Sequence, residues 1–432
     1  MRTLSAFPHL PLIQLTHPGG MDVDDPVLPA AASLLGPRSR GVLDAAVSAA
    51  GGRLHSAGAC HVHYTPGSEL IVRYDTQIEW RGRPLAAETL VASTTRHGAP
   101  PGTTVVEGVG DDGAVMQVGV WRYPFDPALP GLAIAATPAA LAASMHHVVG
   151  ARPTVDIHVY RPTQRAVARA IDESGREWWV KVVRPDDVGS LVDRHQRLAG
   201  VGVPVPRVCA VDADNGLVVL EGLAGRSLRD ALLAGESPWP SAADYLAVVE
   251  RFAAVDIPYD RPGRGTVSSA CAHASLLAAV LPDQAARLHD LSGLLQSLHE
   301  PMARRVVHGD LYERQLLVHG SDVVGVVDLD DAGRGEVVDD LATVIAHLLV
   351  LAPAAGRHRQ QVLRYAAALG ESFGCAVDGR QLDVRTAAAL VSLGTGPFRA
   401  RHRGWQAGVR RRIDMAVRRA DAARESDFTK AS

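Results

Sequence analysis

The pattern of apolar and polar positions divides the chain into a part rich in short strands and a part dominated by helices. From residue 151 the pattern predicts a strand, a Pro-containing turn, an alternating apolar strand, a Gly-Arg turn and another apolar strand. A helix at about residues 187–199 and a buried strand at residues 217–223 follow. Beyond residue 225 apolar positions recur at helical spacing, except in a hairpin at residues 316–329. A mixed sheet followed by a helical body is typical of an α+β protein.

A similar strand pattern occurs earlier in the chain. Residues 61–74 and residues 158–169 align at a constant offset. The matched positions are Tyr64 with Tyr160, Pro66 with Pro162, and Arg73 with Arg169. We therefore expect residues 1–150 to form a separate N-terminal domain with a sheet that resembles the later one. The alternative, that two β-hairpins are alike by chance, stays open at this stage.

Composition limits the class of protein. The 432 residues suggest two to three domains, and 47% hydrophobic with 21% charged residues is an ordinary globular balance. The net charge of −3 argues against a nucleic-acid partner or an anionic membrane surface, and the Arg-rich residues 399–412 are interpreted as a solvated helix face. We predict neither a signal peptide nor a membrane span, and the four scattered cysteines indicate neither a zinc site nor a disulfide framework. The expectation is a cytoplasmic protein, monomeric or homodimeric.

Lysine is almost absent from this chain. Its basic residues are nearly all arginine, and the lysines are Lys181 and Lys430. Lys181 lies in the apolar strand Trp-Trp-Val-Lys-Val-Val, whereas the matching strand of the first copy has no lysine. An edge-strand lysine that points to water is one interpretation. We favour a functional role as a point charge that holds phosphate, because arginine is the default surface cation here.

The strongest chemical signal is His-Gly-Asp-Leu-Tyr-Glu-Arg-Gln at residues 308–315, followed by Asp-Leu-Asp-Asp at residues 328–331. Phosphoryl transfer requires a group that orients the acceptor hydroxyl, a bridging Mg²⁺ and a cation on the phosphates. Asp310 stands on a predicted loop, and Gln315 and Asp328 stand at the two ends of the predicted hairpin. Because a hairpin brings its ends together, these amide and carboxylate oxygens can reach one Mg²⁺.

These motifs, with Asp-Leu-Ala opening a helix at residue 340, resemble the aminoglycoside phosphotransferase/choline kinase superfamily. The resemblance covers about residues 151–350 and implies a protein-kinase-like two-lobed fold. The small lobe has a mixed β-sheet and the large lobe is mainly helical. We expect an extra N-terminal α/β cap domain at residues 1–150, the small lobe at residues 151–224 and the helical lobe at residues 225–432.

The resemblance also implies roles for the residues of the motif. Asp310 is the catalytic base, Asp328 is the main Mg²⁺ ligand, and Asp330 is a second ligand. His308 and Asp340 brace the loop. Gln315, also a metal ligand, stands where most relatives have Asn. That departure is shared by maltokinases and actinobacterial glucosamine kinases, which also carry an N-terminal cap domain.

The cosubstrate implied by the resemblance is ATP or GTP. Lys181 is expected to hold its phosphates, with Asp193 as the ion-pair partner in place of the usual Glu. The backbone of Glu221 and Leu223 resembles the hinge that binds the nucleobase. The chain has no glycine-rich loop after the first strand and no Asp-Phe-Gly motif, which argues against a protein substrate.

Three functions remain open. The first is a sugar or aminosugar kinase, favoured by Gln315 and the cap-like first domain. The second is an antibiotic phosphotransferase, favoured by the similarity of residues 328–342 to aminoglycoside 3'-phosphotransferases. The third is a pseudokinase that binds nucleotide without turnover. The candidates for binding the acceptor, each of which can also be explained as structural, are Asp331, Glu336, Arg399 and Trp405.

Overall fold

The computed structural model describes residues 23, 25–109, 115–258, 260 and 265–431, and side chains up to residue 425. The N-terminal segment for which a signal peptide was not expected lies outside these residues. Two compact units emerge from the backbone contacts, and each is described by itself. The first unit is Met1–Val188, Ala210–Val219 and Pro397–Arg403, and the second unit is Gly189–Cys209, Leu220–Gly396 and Gly404–Ser432. This division differs from the expected three domains, which stay a prediction.

The first unit is built mainly from two β-sheets. Its helices are α1 (Ala31–Leu35), α2 (Ser39–Ala49), α3 (Leu132–Ala135) and α4 (Pro138–Val149). The strands of the first sheet are β1 (Gly52–Thr65), β2 (Glu69–Trp80), β3 (Ala86–Thr95), β4 (Thr104–Val109) and β5 (Val115–Arg122). The strands of the second sheet are β6 (Thr154–Arg161), β7 (Arg165–Ile171), β8 (Glu177–Val183), β9 (Val208–Asp212) and β10 (Leu217–Glu221), with β9 and β10 crossing the unit boundaries.

The two sheets have the same topology. Their strand orders are β1-β2-β3-β5-β4 and β6-β7-β8-β10-β9. The registers also correspond, because Ile71 of β2 faces Ser93 of β3 just as Val167 of β7 faces Lys181 of β8. The predicted likeness between the two sheets is confirmed, and in the first sheet a serine occupies the position of the lysine.

A polar contact is duplicated together with the strands. In each copy an Asp-Pro-x-Leu-Pro segment places its aspartate under the first hairpin, where the carboxylate accepts from a tyrosine hydroxyl and from a turn N–H. The contacts are Asp25 with Tyr64 Oη at 2.7 Å and Gly67 N at 2.8 Å, and Asp126 with Tyr160 Oη at 2.8 Å and Thr163 N at 2.8 Å. Both turn residues have positive φ, 68° at Gly67 and 60° at Thr163. The same capping chemistry therefore fixes the same turn twice.

The second unit is mainly helical. Its helices are α5 (Val188–Gly200), α6 (Leu228–Ala234), α7 (Ala242–Ala253), α8 (Thr266–Val280), α9 (Ala285–Leu298), α10 (Val337–Leu351), α11 (Arg359–Ala376), α12 (Gly379–Leu393), α13 (Thr395–Arg399) and α14 (Trp405–Ala431), with α5 and α13 crossing the unit boundaries. Its strands are β11 (Arg226–Ser227), β12 (Arg304–Val307), β13 (Leu316–His319), β14 (Asp322–Val326) and β15 (Gly333–Glu336). Short 3₁₀ helices of this unit cover Pro282–Gln284, Leu329–Asp331 and Ala352–His358, and one in the first unit covers Pro185–Asp187.

The expected element order is confirmed. A helix, α5, lies between the third and fourth strands of the second sheet, and the hairpin β13–β14 interrupts the helical part. The pairing of β12 with β15 was not expected. The α+β class, with a mixed sheet before a helical body, is therefore the observed one.

Helix α10 forms the centre of the second unit. Its apolar side chains at helical spacing are buried and include Val338, Leu341, Ile345 and Leu348. Within the described residues, the stretch 337–376 is long and apolar enough to cross a membrane, but 61% of its most apolar window is buried inside the protein. Its burial is that of a core helix, and a cytoplasmic location stays a prediction.

Candidate active site

The His-Gly-Asp segment forms a loop between β12 and β13. Strand β12 pairs with β15, so that Val307 lies opposite Gly333 and the start of the loop is anchored. Gly309 has a φ of 84°. A Cβ at this position would lie 2.3 Å from the backbone oxygen of Asp331. Only glycine fits there, because both the conformation and the close approach exclude a side chain.

Asp340 binds this loop from the first turn of α10. Its carboxylate accepts from the backbone N–H of His308 at 2.7 Å and from that of Gly309 at 2.9 Å. The His308 ring reaches the backbone oxygen of Val327, with Nε2 at 2.9 Å. Hydrogen bonds to an ionised carboxylate are among the stronger ones in proteins. These contacts hold the loop against the segment that leads to Asp328.

Gln315 and Asp328 are brought together by the hairpin. Gln315 is 4% exposed, and its Nε2 lies 3.4 Å from Oδ2 of Asp328. Asp328 adopts a left-handed conformation, with φ 62° and ψ 64°. A non-glycine residue there stores about 1–2 kcal/mol of strain. Strain of this kind is found at ligand-binding positions more often than elsewhere.

The donor chemistry of this pair fits Mg²⁺. One carboxylate and one amide oxygen are hard ligands, and Mg²⁺ in kinase-type sites takes few protein ligands because phosphates and water supply the others. Asp330 follows in a 3₁₀ helix and is half-buried. Within the described part of the chain, no group of three or more His, Cys, Asp or Glu residues could hold a metal ion. An ion here would therefore depend on the nucleotide for much of its coordination shell.

Asp310 follows Gly309 in the same loop and is half-buried. Its backbone N–H points to Nδ1 of His308, at 3.3 Å. The residue thus stands on a segment fixed by Asp340 and His308. A carboxylate on such a rigid loop can accept a hydrogen bond from an incoming hydroxyl.

Tyr312 adds an aromatic group to the loop. Its ring stacks on His347 of α10, with centroids 4.0 Å apart and an interplanar angle of 26°. Burial, together with the nearby carboxylates of Asp310 and Asp328, raises the pKa of Tyr312 to about 12. The phenol is therefore a neutral hydrogen-bond donor beside the two carboxylates of the motif.

Glu313 ties the loop to α6. Its buried carboxylate, 1% exposed, accepts a hydrogen bond from Nη1 of Arg229 at 2.7 Å. The backbone N–H of Arg229 also donates to the backbone oxygen of Glu313, at 3.0 Å. Burial raises the pKa of Glu313. Its second oxygen lies 3.6 Å from Nδ1 of His347, and burial among nearby arginines lowers the pKa of that imidazole to about 3. His347 is therefore neutral at physiological pH.

Sequence reasoning did not find the roles of Tyr312, His347 and Arg229. The partners lie 35 and 84 residues apart in the chain. No local pattern announces either contact.

The predicted acceptor residues occupy different environments. Glu336 is bound by the fully buried Arg385, which also contacts Asp339 with Nε to Oδ1 at 3.5 Å. Glu336 is thus held by a buried cation. Asp331 is half-buried beside Gly309, and Trp405 is 8% exposed at the start of α14.

Arg399 belongs to the first unit, where burial lowers its pKa. Its role, and that of the other acceptor candidates, stays a prediction.

The predicted nucleotide residues are also placed. Lys181 is 5% exposed within β8 of the first unit. In the second unit the Asp193 carboxylate accepts from Nε of Arg197 at 2.7 Å, and Glu221 accepts from Nε of Arg207 at 3.1 Å.

Leu223 is half-buried and packs beside Gly325. The expected pairing of Lys181 with Asp193 and the hinge role of Glu221 and Leu223 stay predictions.

Known structures resemble parts of this chain. Aminoglycoside phosphotransferase APH(3'')-Id from Streptomyces rimosus is 22% identical, with a TM-score of 0.40, 58% of this chain covered and 96% of that chain. A thermostable mutant of APH(4)-Ia, in ternary complex with AMP-PNP and hygromycin B, is 15% identical, with a TM-score of 0.43 and coverages of 66% and 97%. Macrolide 2'-phosphotransferase MphH from Brachybacterium faecium is 17% identical, with a TM-score of 0.37 and coverages of 63% and 96%. No curated protein sequence matches the chain significantly.

The family model gives the assignment. Residues 163–375 match the Phosphotransferase enzyme family (APH), and this range contains the loop with Asp310, the Gln315–Asp328 pair and Asp340. Members of this family move a phosphoryl group from a nucleotide to a hydroxyl. Residues 163–375 of this chain therefore match the phosphotransferase enzyme family, which is consistent with the aminoglycoside phosphotransferase/choline kinase superfamily.

Proposed function

We propose that the protein is a small-molecule kinase that transfers the γ-phosphoryl group of ATP or GTP to a hydroxyl of a sugar or aminosugar. The observation that carries this proposal is the rigid loop with Asp310, held by Asp340, next to the Gln315–Asp328 pair. Base and metal ligands on one braced segment are what phosphoryl transfer requires, because its catalysis is mainly positioning and electrostatics.

The residues divide the chemistry between them. Asp310 orients the acceptor hydroxyl and takes its proton as the oxygen attacks the γ-phosphorus, while the bond from that phosphorus to the β–γ bridging oxygen breaks and the nucleoside diphosphate leaves. Asp328, the amide oxygen of Gln315 and Asp330 would hold Mg²⁺, which supplies neutralising charge to the phosphates when it is bound. Lys181 would hold the nucleotide phosphates as a point charge, with Asp193 as its partner.

The acceptor class rests on two features of the chain. Gln315 replaces the usual Asn, as in maltokinases and glucosamine kinases, and a whole sheet precedes the kinase-like one. Both features favour a sugar or aminosugar. No nucleic acid or membrane is required as a partner.

An antibiotic phosphotransferase is the second candidate. The segment at residues 328–342 favours it through its similarity to aminoglycoside 3'-phosphotransferases. A pseudokinase is less well supported, because Lys181, Asp310 and Asp328 are all present.

The test is a nucleotide-consumption screen with Mg²⁺, in which ATP and GTP are each combined with sugars, aminosugars, aminoglycosides and macrolides. A sugar or aminosugar that is phosphorylated with a kcat/KM above that of every antibiotic supports the proposal. An antibiotic as the best acceptor would replace it with the second candidate. Tight Mg²⁺-nucleotide binding without turnover on any acceptor would favour the pseudokinase.

A further inference from the structure

A groove of about 480 Å³ lies in the second unit, apart from the loop that carries Asp310. Its walls are the end of α10, the 3₁₀ helix Ala352–His358, the start of α11 and the middle of α14. The volume is in the range of small-molecule sites, roughly 300–1,000 Å³. None of its lining residues belongs to the catalytic loop or to the Gln315–Asp328 pair.

The floor of the groove is apolar. Leu349, Leu363 and Met415 line it, and all three are half-buried rather than covered by the surrounding helices. Covering apolar surface that is partly in contact with water lowers the free energy, which favours binding of an apolar ligand. Methionine adapts its shape to different apolar ligands because its side chain is unbranched and flexible.

The rim of the groove is basic. Arg359, Arg411 and Arg418 line it and are exposed, and Arg419 lines it while pairing with Asp383 at 2.8 Å. Among the described residues, no carboxylate lines the groove, and the first three arginines form no ion pair.

The arginines on α14 share one side of the helix. Arg411 and Arg418 are seven residues apart, so they point the same way about two turns apart along the axis. Arginines on one side of a helix above an apolar floor create a positive potential that attracts an anion to the groove. Residues 399–412 were interpreted from the sequence as a solvated helix face, but that interpretation does not account for the open apolar floor beneath the arginines.

We propose that this groove is a binding site for an anionic amphiphile, a small molecule with an apolar body and a phosphate, sulfate or carboxylate group. The apolar body would cover Leu349, Leu363 and Met415. The anionic group would lie under Arg411 and Arg418, whose planar forks match the oxygens of such groups. An inorganic anion alone would leave the floor uncovered, and a cationic amphiphile would be repelled by the rim.

Two sources can supply this chemistry. The ligand is either the acceptor of the phosphoryl transfer, if its hydroxyl is part of an amphiphilic anion, or a separate effector. The binding proposal itself does not depend on the proposed function, because it is tested without turnover.

Binding is measured by calorimetry on the full chain below the micelle concentration of each probe, with dodecyl phosphate, decyl phosphate, dodecyltrimethylammonium and inorganic phosphate. We expect one dodecyl phosphate per chain. The decyl homologue, which is two methylenes shorter, should bind about fifteenfold more weakly, since each buried methylene contributes about fourfold. Dodecyltrimethylammonium and inorganic phosphate should each bind at least about tenfold more weakly than dodecyl phosphate.

Two double variants test whether the probe binds in the groove. Arg411→Glu/Arg418→Glu should weaken dodecyl phosphate binding at least about tenfold. The control Arg81→Glu/Arg83→Glu carries the same change of charge on an exposed turn outside the groove and should leave the affinity within about twofold. Equal affinities in the groove variant and the control would overturn the proposal, as would equal binding of the cationic probe.

A second measurement separates the two sources. Competition between dodecyl phosphate and the best acceptor in the turnover assay would identify the groove as part of the acceptor site. A change in kcat without competition would identify an effector site.

Discussion

The side-chain amide of Gln315 lies 3.4 Å from the carboxylate of Asp328, across the ends of the hairpin β13–β14. Gln315 directly precedes β13, and Asp328 follows the end of β14. The backbone N–H of Val327 donates to the backbone oxygen of Gln315 at 2.9 Å. Hairpin pairing and the left-handed conformation of Asp328 together bring the proposed metal ligands close to each other.

Gln315→Leu tests the amide as a metal ligand. We expect the affinity for Mg²⁺-nucleotide to fall by about tenfold or more, since one oxygen ligand is lost, while the affinity for nucleotide in EDTA stays within about twofold. Gln315→Asn should lie between the wild type and Gln315→Leu. Calorimetry with and without Mg²⁺ measures both. If Gln315→Leu retains the full Mg²⁺ dependence, the amide does not bind the metal.

Asp340→Ala tests the brace on the loop. The substitution leaves the backbone N–H groups of His308 and Gly309 without their acceptor, at about 1–3 kcal/mol for each buried donor. The free energy of unfolding in urea should fall by about 2–5 kcal/mol. The control Asp322→Ala changes an exposed residue of the hairpin β13–β14 and should alter the free energy of unfolding by less than about 0.5 kcal/mol. Equal effects of the two substitutions would mean that Asp340 does not stabilise the loop.

The buried Arg385 predicts a strongly non-additive pair of variants. Arg385→Met leaves the carboxylates of Glu336 and Asp339 without their cation and should lower the free energy of unfolding by about 3–5 kcal/mol. Adding Glu336→Gln removes one of the uncompensated charges and should recover part of the loss. A double variant less stable than Arg385→Met would argue against a structural ion pair at Glu336.

His347 predicts a specific sensitivity to acid. Its pKa is lowered from 6.5 to about 3 in the folded protein, mainly by burial. Below pH 6.5 the unfolded chain binds a proton that the folded chain does not, so stability decreases as the pH falls from 6.5 towards 3. Between pH 7.5 and pH 5 the free energy of unfolding should therefore fall by about 2 kcal/mol through His347.

His347→Gln removes the titration, so its loss of stability between pH 7.5 and pH 5 should be smaller than that of the wild type by about 2 kcal/mol. Urea unfolding at the two pH values measures the difference. Identical losses in the two proteins would show that His347 titrates normally.

Local sequence patterns predicted the parts of the fold that depend on near neighbours. The second sheet, α5 and the hairpin β13–β14 follow from period-two and period-3.6 apolar spacing with turn residues between them. The likeness between the two sheets was visible from three matched residues, but the duplicated Asp25 and Asp126 contacts were not. Each aspartate lies more than 30 residues from its tyrosine, 39 for Tyr64 and 34 for Tyr160.

Contacts between distant segments were not predictable. Strand β12 reads Arg-Arg-Val-Val and β15 reads Gly-Arg-Gly-Glu, so neither shows the alternation that announces a strand. Arg385 looks like a surface residue of a helix in the sequence, yet it is fully buried, with partners at Glu300 and Glu336 outside its helix. The Gln315–Asp328 contact was predictable because a single hairpin makes it.

The most direct test of the central claim is Asp310→Asn, assayed for turnover on the best acceptor and for Mg²⁺-nucleotide affinity. The substitution keeps the size of the side chain and removes the group that takes the proton. We predict that kcat falls by about 10²–10⁴-fold, while the nucleotide affinity stays within about threefold. Full turnover by Asp310→Asn would contradict the assignment of the base.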